Sequence, residues 1–200
     1  VAGPGCYPTA ALLALAPLAR AGLLGDTVID AKSGVSGAGR GATQTTHFVS
    51  VAENVKAYKV GSHRHAPEID QELSAWSGDR QRVTFTPHLL PLDAGELVSC
   101  YVTPTQPVDD GELADLFARA YDDEPFVELT DVPPGVRDVR ETNLCEIYVT
   151  RDGRSGRVIV FAVIDNLWKG TASQAVQSLN LMFGLPETAG RGPHVGGSAR

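Results

Sequence analysis

Residues 143–164 read N-L-C-E-I-Y-V-T-R-D-G-R-S-G-R-V-I-V-F-A-V-I. Two runs rich in β-branched and aromatic residues, Asn143 to Thr150 and Arg157 to Ile164, flank Asp152-Gly153. That pattern predicts two strands joined as a hairpin, with Asp-Gly supplying the turn. A second pair of strand-like runs, Arg82 to Leu90 and Leu97 to Thr103, brackets a turn at Asp93-Ala94-Gly95. Shorter strands are expected at Thr27 to Ala31 and Phe126 to Thr130. Strands that come in hairpins, with helices between them, point to an α+β fold: a mixed, mainly antiparallel sheet with helices on one face.

The helices announce themselves by apolar spacing and by their stops. Pro8 suits the first turn of a helix carrying Leu12, Leu13, Leu15, Leu18, Leu23 and Leu24, with Gly25-Asp26 ending it and Pro17 expected to kink or split it. Pro67 opens a second helix through Ile69, Leu73 and Trp76, stopped by Gly78. A third, from about Gly111 to Tyr121, puts Leu113, Leu116, Phe117 and Ala120 on one face. The last, Thr171 to Phe183, shows Ala172, Ala175, Val176, Leu179 and Met182 at helical spacing. One domain over 1–190 is expected, with a Gly-rich flexible tail at 191–200.

Composition narrows the function classes. The net charge of −7 argues against nucleic acid or an anionic membrane as the main partner. No apolar run reaches the roughly 18 residues of a membrane span. The apolar N-terminus also lacks the basic lead-in of a secretory signal. The one methionine is Met182, so Val1 is not an initiator and an upstream segment is expected to have been removed. Three cysteines with unrelated spacing make a poor disulfide framework, so free thiols in a reducing, cytoplasmic setting are expected. Cys100 and Cys145 sit in apolar runs and read as core.

Cys6 has different neighbours. In Gly3-Pro4-Gly5-Cys6-Tyr7-Pro8-Thr9 it stands at a helix start, where unpaired amides and the dipole favour thiolate and could hold an oxyanion. Small glycines would let a substrate approach. A capping residue on a buried helix is the plainer alternative. A proton partner is sought among five histidines. His47 lies in an apolar-alternating stretch, His88 within F-T-P-H-L, and His194 in the tail. His63-Arg64-His65 suits best: two imidazoles that can share a side, beside an anion-binding Arg. Cys6 with this pair lacks a recognisable fourth metal ligand, so no metal site is expected. The loop Gly37-Ala38-Gly39-Arg40-Gly41-Ala42 fits G-x-G-x-x-A, but the polar segment before it and the poor helix after it reject a dinucleotide fingerprint. Backbone contact to an anionic ligand remains open there.

Taken together, G-P-G-C-Y-P-T at 3–9, D-A-K-S-G-V-S-G-A-G-R at 30–40 and Y-K-V-G-S-H-R-H-A-P-E-I at 58–69 resemble the N-acetyl-gamma-glutamyl-phosphate reductases of arginine biosynthesis. So do F-T-P-H-L-L-P at 85–91, Y-D-D-E-P-F-V at 121–127, D-N-L-W-K-G-T-A-S-Q-A-V-Q-S-L-N at 165–180 and G-L-P-E-T-A-G at 184–190. The resemblance implies the fold of the catalytic and dimerisation half of glyceraldehyde-phosphate and aspartate-semialdehyde dehydrogenases. It implies a Cys6 thiolate that attacks the acyl phosphate of N-acetylglutamyl phosphate, and reduction of the thioester by NADPH to the semialdehyde. His65 is then the acid/base, with His63, Arg64 and Ser36 as substrate contacts. Gly37, Ala38 and Asn166 would meet the nicotinamide. A homodimer or homotetramer is implied. The family carries its NADP-binding half before the G-P-G-C-Y-P segment; that half is absent here, so an isolated chain is expected to be a poor reductase or inactive. Two alternatives stand beside this: a non-catalytic dimerisation or regulatory module of the same fold, and a reductase for carrier-bound aminoadipyl phosphate.

Overall fold

The computed structural model describes residues 2–41 and 43–190. The expected tail at 191–200, with His194, lies outside the described residues, as do Val1 and Ala42. The strands are β1 (Leu24–Ser33), β2 (Lys56–Ala57), β3 (Thr84–Leu89), β4 (Glu96–Pro104), β5 (Val127–Leu129), β6 (Cys145–Arg151) and β7 (Val158–Ile164). The helices are α1 (Cys6–Arg20), α2 (Phe48–Val51), α3 (His65–Ser77), α4 (Asp110–Tyr121) and α5 (Ser173–Met182).

All seven strands join one sheet in the order β2-β3-β1-β4-β7-β6-β5. β1 runs parallel to β3 and β5 to β6, while β1–β4, β2–β3, β4–β7 and β6–β7 are antiparallel. The mixed, mainly antiparallel expectation therefore holds. The β6–β7 hairpin pairs Cys145 with Ile164 and Arg151 with Val158. Its turn is longer than Asp152-Gly153 suggests: Asp152 N–H donates to the Arg157 carbonyl at 2.8 Å, and Gly156 takes the positive φ of 73°.

One face of the sheet is buried under α1, α3 and α4. Ile29 and Ala31 of β1, Val98, Cys100 and Val102 of β4, and Val158, Val160, Ala162 and Ile164 of β7 meet Leu15, Leu18, Ile69, Leu73, Leu113 and Phe117. On the opposite face Val163 packs with Val139 and Leu144, leaving Tyr148 and Phe161 stacked beside them with ring centroids 6.3 Å apart. Cys100 and Cys145 are core, as their apolar neighbours in sequence suggest, and all three cysteines are free.

Helix boundaries show what sequence spacing misses. α1 stops at Arg20 rather than at Gly25-Asp26: Gly22 turns the chain at φ 69°, and Leu24 already belongs to β1. Pro17 lies inside a continuous helix. Its missing N–H frees the carbonyl four residues back, and the Tyr121 hydroxyl donates to that oxygen, Leu13 O. α4 is set by a capping box: Asp109 Oδ1 accepts from Glu112 N–H at 2.8 Å, and Glu112 Oε2 accepts from Asp109 N–H at 2.9 Å. His47 lies before α2, a short helix that the alternating pattern does not suggest.

The last helix departs most. A π-helical turn, Trp168–Ala172, precedes α5, and the expected apolar face points outward, with Leu179, Leu181, Met182 and Phe183 exposed. The buried positions are Ser173 and Asn180. Asn180 Nδ2 donates to the carbonyls of Glu187 and Ala189, so the chain beyond α5 folds back on the polar side.

Candidate active site

The N-terminus of α1 meets the buried face of the sheet at one row of residues. Register aligns Ser33 with Glu96, Glu96 with Ile164, and Ile164 with Cys145 across β1, β4, β7 and β6. Cys6 stands over this row as the first residue of α1, after an extended Gly5 that gives no side-chain cap. The Gly5 N–H donates to Glu68 Oε1 of α3 at 3.1 Å. Behind Cys6 the π-helical turn comes so close that a methyl on Gly170 would stand 2.7 Å from Cys6 Cβ.

His65, the first residue of α3, lies against Gly5: a methyl there would overlap Nε2, Cε1 and Cδ2 of the imidazole. In sequence this glycine suggests room for substrate. In the fold it makes room for the histidine. His65 is 8% exposed, and burial first, then the nearby His63, Arg64 and Lys59 charges, pull its pKa down to about 4. The imidazole is thus neutral around pH 7.

His63 braces His65 rather than facing outward. Its Nδ1 accepts the His65 backbone N–H at 3.1 Å, and the two rings sit 4.7 Å apart. Tyr7, Tyr58 and Phe85 close edge-on around His63. Tyr58 donates to the Tyr7 hydroxyl at 3.1 Å, which in turn donates to the His88 carbonyl at 3.3 Å. Arg64, between the two histidines, is exposed.

Position at a helix start suggests a lowered thiol pKa for Cys6. The structure reverses that: burial pushes the thiol up, and the adjoining Glu96 adds its charge and a hydrogen bond, outweighing the Tyr7 and Cys6 amides that favour thiolate. Glu96, fully buried, is itself raised to about 8 by burial. Sequence reasoning misses this residue, although a signal for it exists. Glu96 shares its parity along β4 with Val98, Cys100 and Val102, so its carboxyl has to point inward.

The Ser36-Gly37-Ala38 segment belongs to a 3-10 turn, Val35–Ala38, that follows β1 directly. The segment before the G-x-G-x-x-A match, polar by sequence, is thus the end of β1, a half-buried strand between β3 and β4. That strand leads into a four-residue 3-10 turn rather than a binding helix, with Ala42 outside the described residues. Asn166 anchors this turn. Its Oδ1 accepts from Gly95 N–H at 2.7 Å and its Nδ2 donates to Ser36 Oγ at 3.0 Å. Asn166 is 1% exposed, so both ends of its carboxamide are engaged within the protein. Gly95 adjoins Glu96 and Asn166 lies two residues past Ile164, so one frame carries both the Cys6–His65 pair and the Ser36 turn. No cluster of three or more metal-ligating side chains occurs among the described residues, and none of their helices is long and apolar enough to cross a membrane.

Comparison with known proteins bears on this frame. The family described as semialdehyde dehydrogenase, dimerisation domain, matches residues 6–166. N-acetyl-gamma-glutamyl-phosphate reductase of Desulforudis audaxviator is 53% identical over 196 residues, covering 95% of this chain and 56% of that protein. The protein of the same name from Geobacillus kaustophilus is 47% identical over 194 residues, again 95% of this chain and 56% of its own length. This chain thus spans about half the length of the curated relatives it matches. Among solved structures, aspartate semialdehyde dehydrogenase II from Vibrio cholerae shares the fold, with a TM-score of 0.73 over 92% of this chain and 62% of that one, at 22% identity.

Proposed function

Because this chain belongs to the semialdehyde dehydrogenase dimerisation-domain family and is about half identical to N-acetyl-gamma-glutamyl-phosphate reductases, we propose that it carries the acyl-accepting and dimerisation half of an NADPH-dependent reductase acting on N-acetylglutamyl phosphate in arginine biosynthesis. The observation that carries this is the juxtaposition of Cys6, at an open helix start, with the neutral imidazole of His65 packed on Gly5. Cys6 Sγ attacks the acyl carbon, the amides of the first turn face the oxyanion, and phosphate leaves. His65, neutral, donates a ring N–H hydrogen bond to the carbonyl oxygen as it gains charge, both when the sulfur adds and when the thioester is reduced, and keeps its proton as the semialdehyde forms. Arg64, exposed beside it, is suited to the substrate's carboxylate or phosphate.

The nicotinamide end of NADPH fits the Ser36 turn in part. Gly37 and Ala38 lie on its rim and can approach a flat ring closely, while Asn166 holds the turn from behind instead of reaching outward. When bound there, the cofactor supplies the hydride for the thioester carbon. The rest of the dinucleotide falls to a nucleotide-binding half of the kind the resemblance implies. Self-association fits the open sheet face, where Tyr148 and Phe161 stack opposite the helical layer, and a dimer or tetramer in the cytoplasm is the assembly proposed.

The test is an adduct. Incubation with N-acetylglutamyl phosphate, followed by mass spectrometry, should find a hydroxylamine-sensitive acyl group on the Cys6 peptide and none in C6S. A second reading, a non-catalytic module of the same fold, draws on the upward push on the Cys6 thiol. An intact acyl phosphate with unmodified Cys6 would favour that module.

A further inference from the structure

Glu96 is fully buried, yet among the described residues no N–H or O–H donor reaches either carboxyl oxygen. A carboxyl left so is costly, and neither the packing nor the sheet ladder explains it. Of the charges that bear on the Cys6 thiol, that of Glu96 is the largest. The other ionisable groups that feel its charge are Tyr7 on α1, Tyr58 and Cys145 on β6, all acids that a carboxylate beside them opposes. Nothing on these elements neutralises Glu96. Register fixes it between Ser33 and Ile164, and Ile164 Cδ1 closes with Cys6 Cβ on the same point beside Gly170.

We propose that Glu96 is a catalytic residue, the base that takes the Cys6 thiol proton when the sulfur is acylated and returns it when the carbon–sulfur bond breaks. This rests on the reading of Cys6 as acyl acceptor. In the first half, the S–H electron pair becomes the bond from Sγ to the acyl carbon and the bond from that carbon to the phosphate oxygen breaks. The thiol proton passes to the Glu96 carboxylate, and the departing phosphate takes its proton from solvent. In the second half, for which a reduced nicotinamide would supply the hydride to the thioester carbon, the carbon–sulfur electron pair returns to sulfur and the Glu96 proton restores the thiol. One solvent proton is consumed overall, as reduction of an acyl phosphate to an aldehyde requires.

The geometry also separates two roles. His65, beside Gly5, is placed for the oxygen, while Glu96, beneath Cys6, is placed for the sulfur. The raised carboxyl, near 8, holds a proton far better than an imidazole near 4.

Alkylation of Cys6 by iodoacetamide tests this without cofactor or acyl phosphate. Cys100 and Cys145 are fully buried, so peptide mapping of the native chain isolates the Cys6 rate. In the wild type the rate should rise through an inflection near 8. In E96Q, with folding checked by its thermal midpoint, the rate at that pH should fall roughly 10-fold or more and the inflection should move up. An E96Q thiol that alkylates as fast or faster shows Glu96 to be only a like-charge burden and overturns the proposal. If E96Q does not fold, E96D should slow alkylation several-fold, and a wild-type rate in E96D overturns it equally. A wild-type Cys6 that reacts at no pH instead overturns the reading beneath, that Cys6 is the nucleophile.

Discussion

The imidazole of His65 occupies the space that any side chain at position 5 would fill. Gly5 is at once the residue before the nucleophile and the floor on which its imidazole partner lies. G5A therefore crowds an atom set that has nowhere simple to go, because His63, Tyr7 and the α3 start hold His65 from the other side. We expect a stability loss of about 1–3 kcal/mol, typical of overpacking. Acyl transfer to Cys6 should fall at least about tenfold, since small displacements of a catalytic group are expensive. Denaturant unfolding and adduct formation, measured on the same preparation, check the two effects; wild-type acylation in G5A would show that acyl transfer to Cys6 does not need His65 in place.

Glu96 makes a separate prediction about stability and pH. Its folded pKa is raised to about 8 from an ordinary carboxyl value of 4.5. Between those limits the folded chain binds the proton and the unfolded chain does not, so stability falls as pH rises through the window. The full contribution is present below the unfolded value and is lost by the time pH passes the folded one. The slope from this group is at most about 1.4 kcal/mol per pH unit. E96Q, which cannot ionise, should lose that decline. Urea midpoints at several pH values measure it, and parallel wild-type and E96Q curves would show that Glu96 is already ionised in the folded chain.

Much of this arrangement is readable in the sequence, for physical reasons that also mark the limit. The β6–β7 hairpin follows from two apolar, β-branched runs whose pairing is local, and α4 from Asp109 and Glu112 at capping spacing. Cys6 and the His63–His65 pair stand out because few residue types do their chemistry. What escapes is long-range. Nothing local says that Gly170 must pass against Cys6, that Asn166 ties Ser36 to Gly95, or that Glu96 faces the thiol across α1 and β4. The pKa expectation for Cys6 fails for the same cause: the helix start favours thiolate locally, and burial with a neighbouring carboxyl wins once the chain is folded. The outward apolar face of α5 is hidden too, since helical spacing shows which side is apolar but not what covers it.

Pro17 survives inside α1 because the carbonyl it strands, Leu13 O, is taken by the Tyr121 hydroxyl of α4. Y121F removes the donor while keeping the ring packed against Phe117. A partly buried carbonyl without a partner should cost about 1–2 kcal/mol. A double-mutant cycle with P17A separates this from simple packing: alanine restores the N–H that Leu13 O can accept, so Y121F should cost less in that background. Equal costs in both backgrounds would mean the hydroxyl does not compensate the proline.

Gly170 sets the last test, since its Cα lies against the nucleophile. A methyl there would stand 2.7 Å from Cys6 Cβ and 3.2 Å from Ile164 Cδ1, with Cys6 Cα at 3.3 Å. The two closest-held atoms cannot swing away, because Cys6 is fixed at the start of α1, and Ile164 Cδ1, the end of its side chain, is buried with the rest of Ile164 in β7. The strain must then move the π-helical turn or the start of α1 by several tenths of an ångström. Either shift changes where Sγ stands relative to Glu96 and His65. G170A should therefore lower the Cys6 alkylation rate several-fold and reduce stability by about 1–3 kcal/mol. G5A should disturb the His65 side while leaving the iodoacetamide rate near wild type, because the sulfur and Glu96 keep their places. Opposite rankings of the two variants in acylation and alkylation would separate the oxygen-side hydrogen-bond donor from the sulfur-side proton carrier, and identical rankings would mean that both glycines act only through folding.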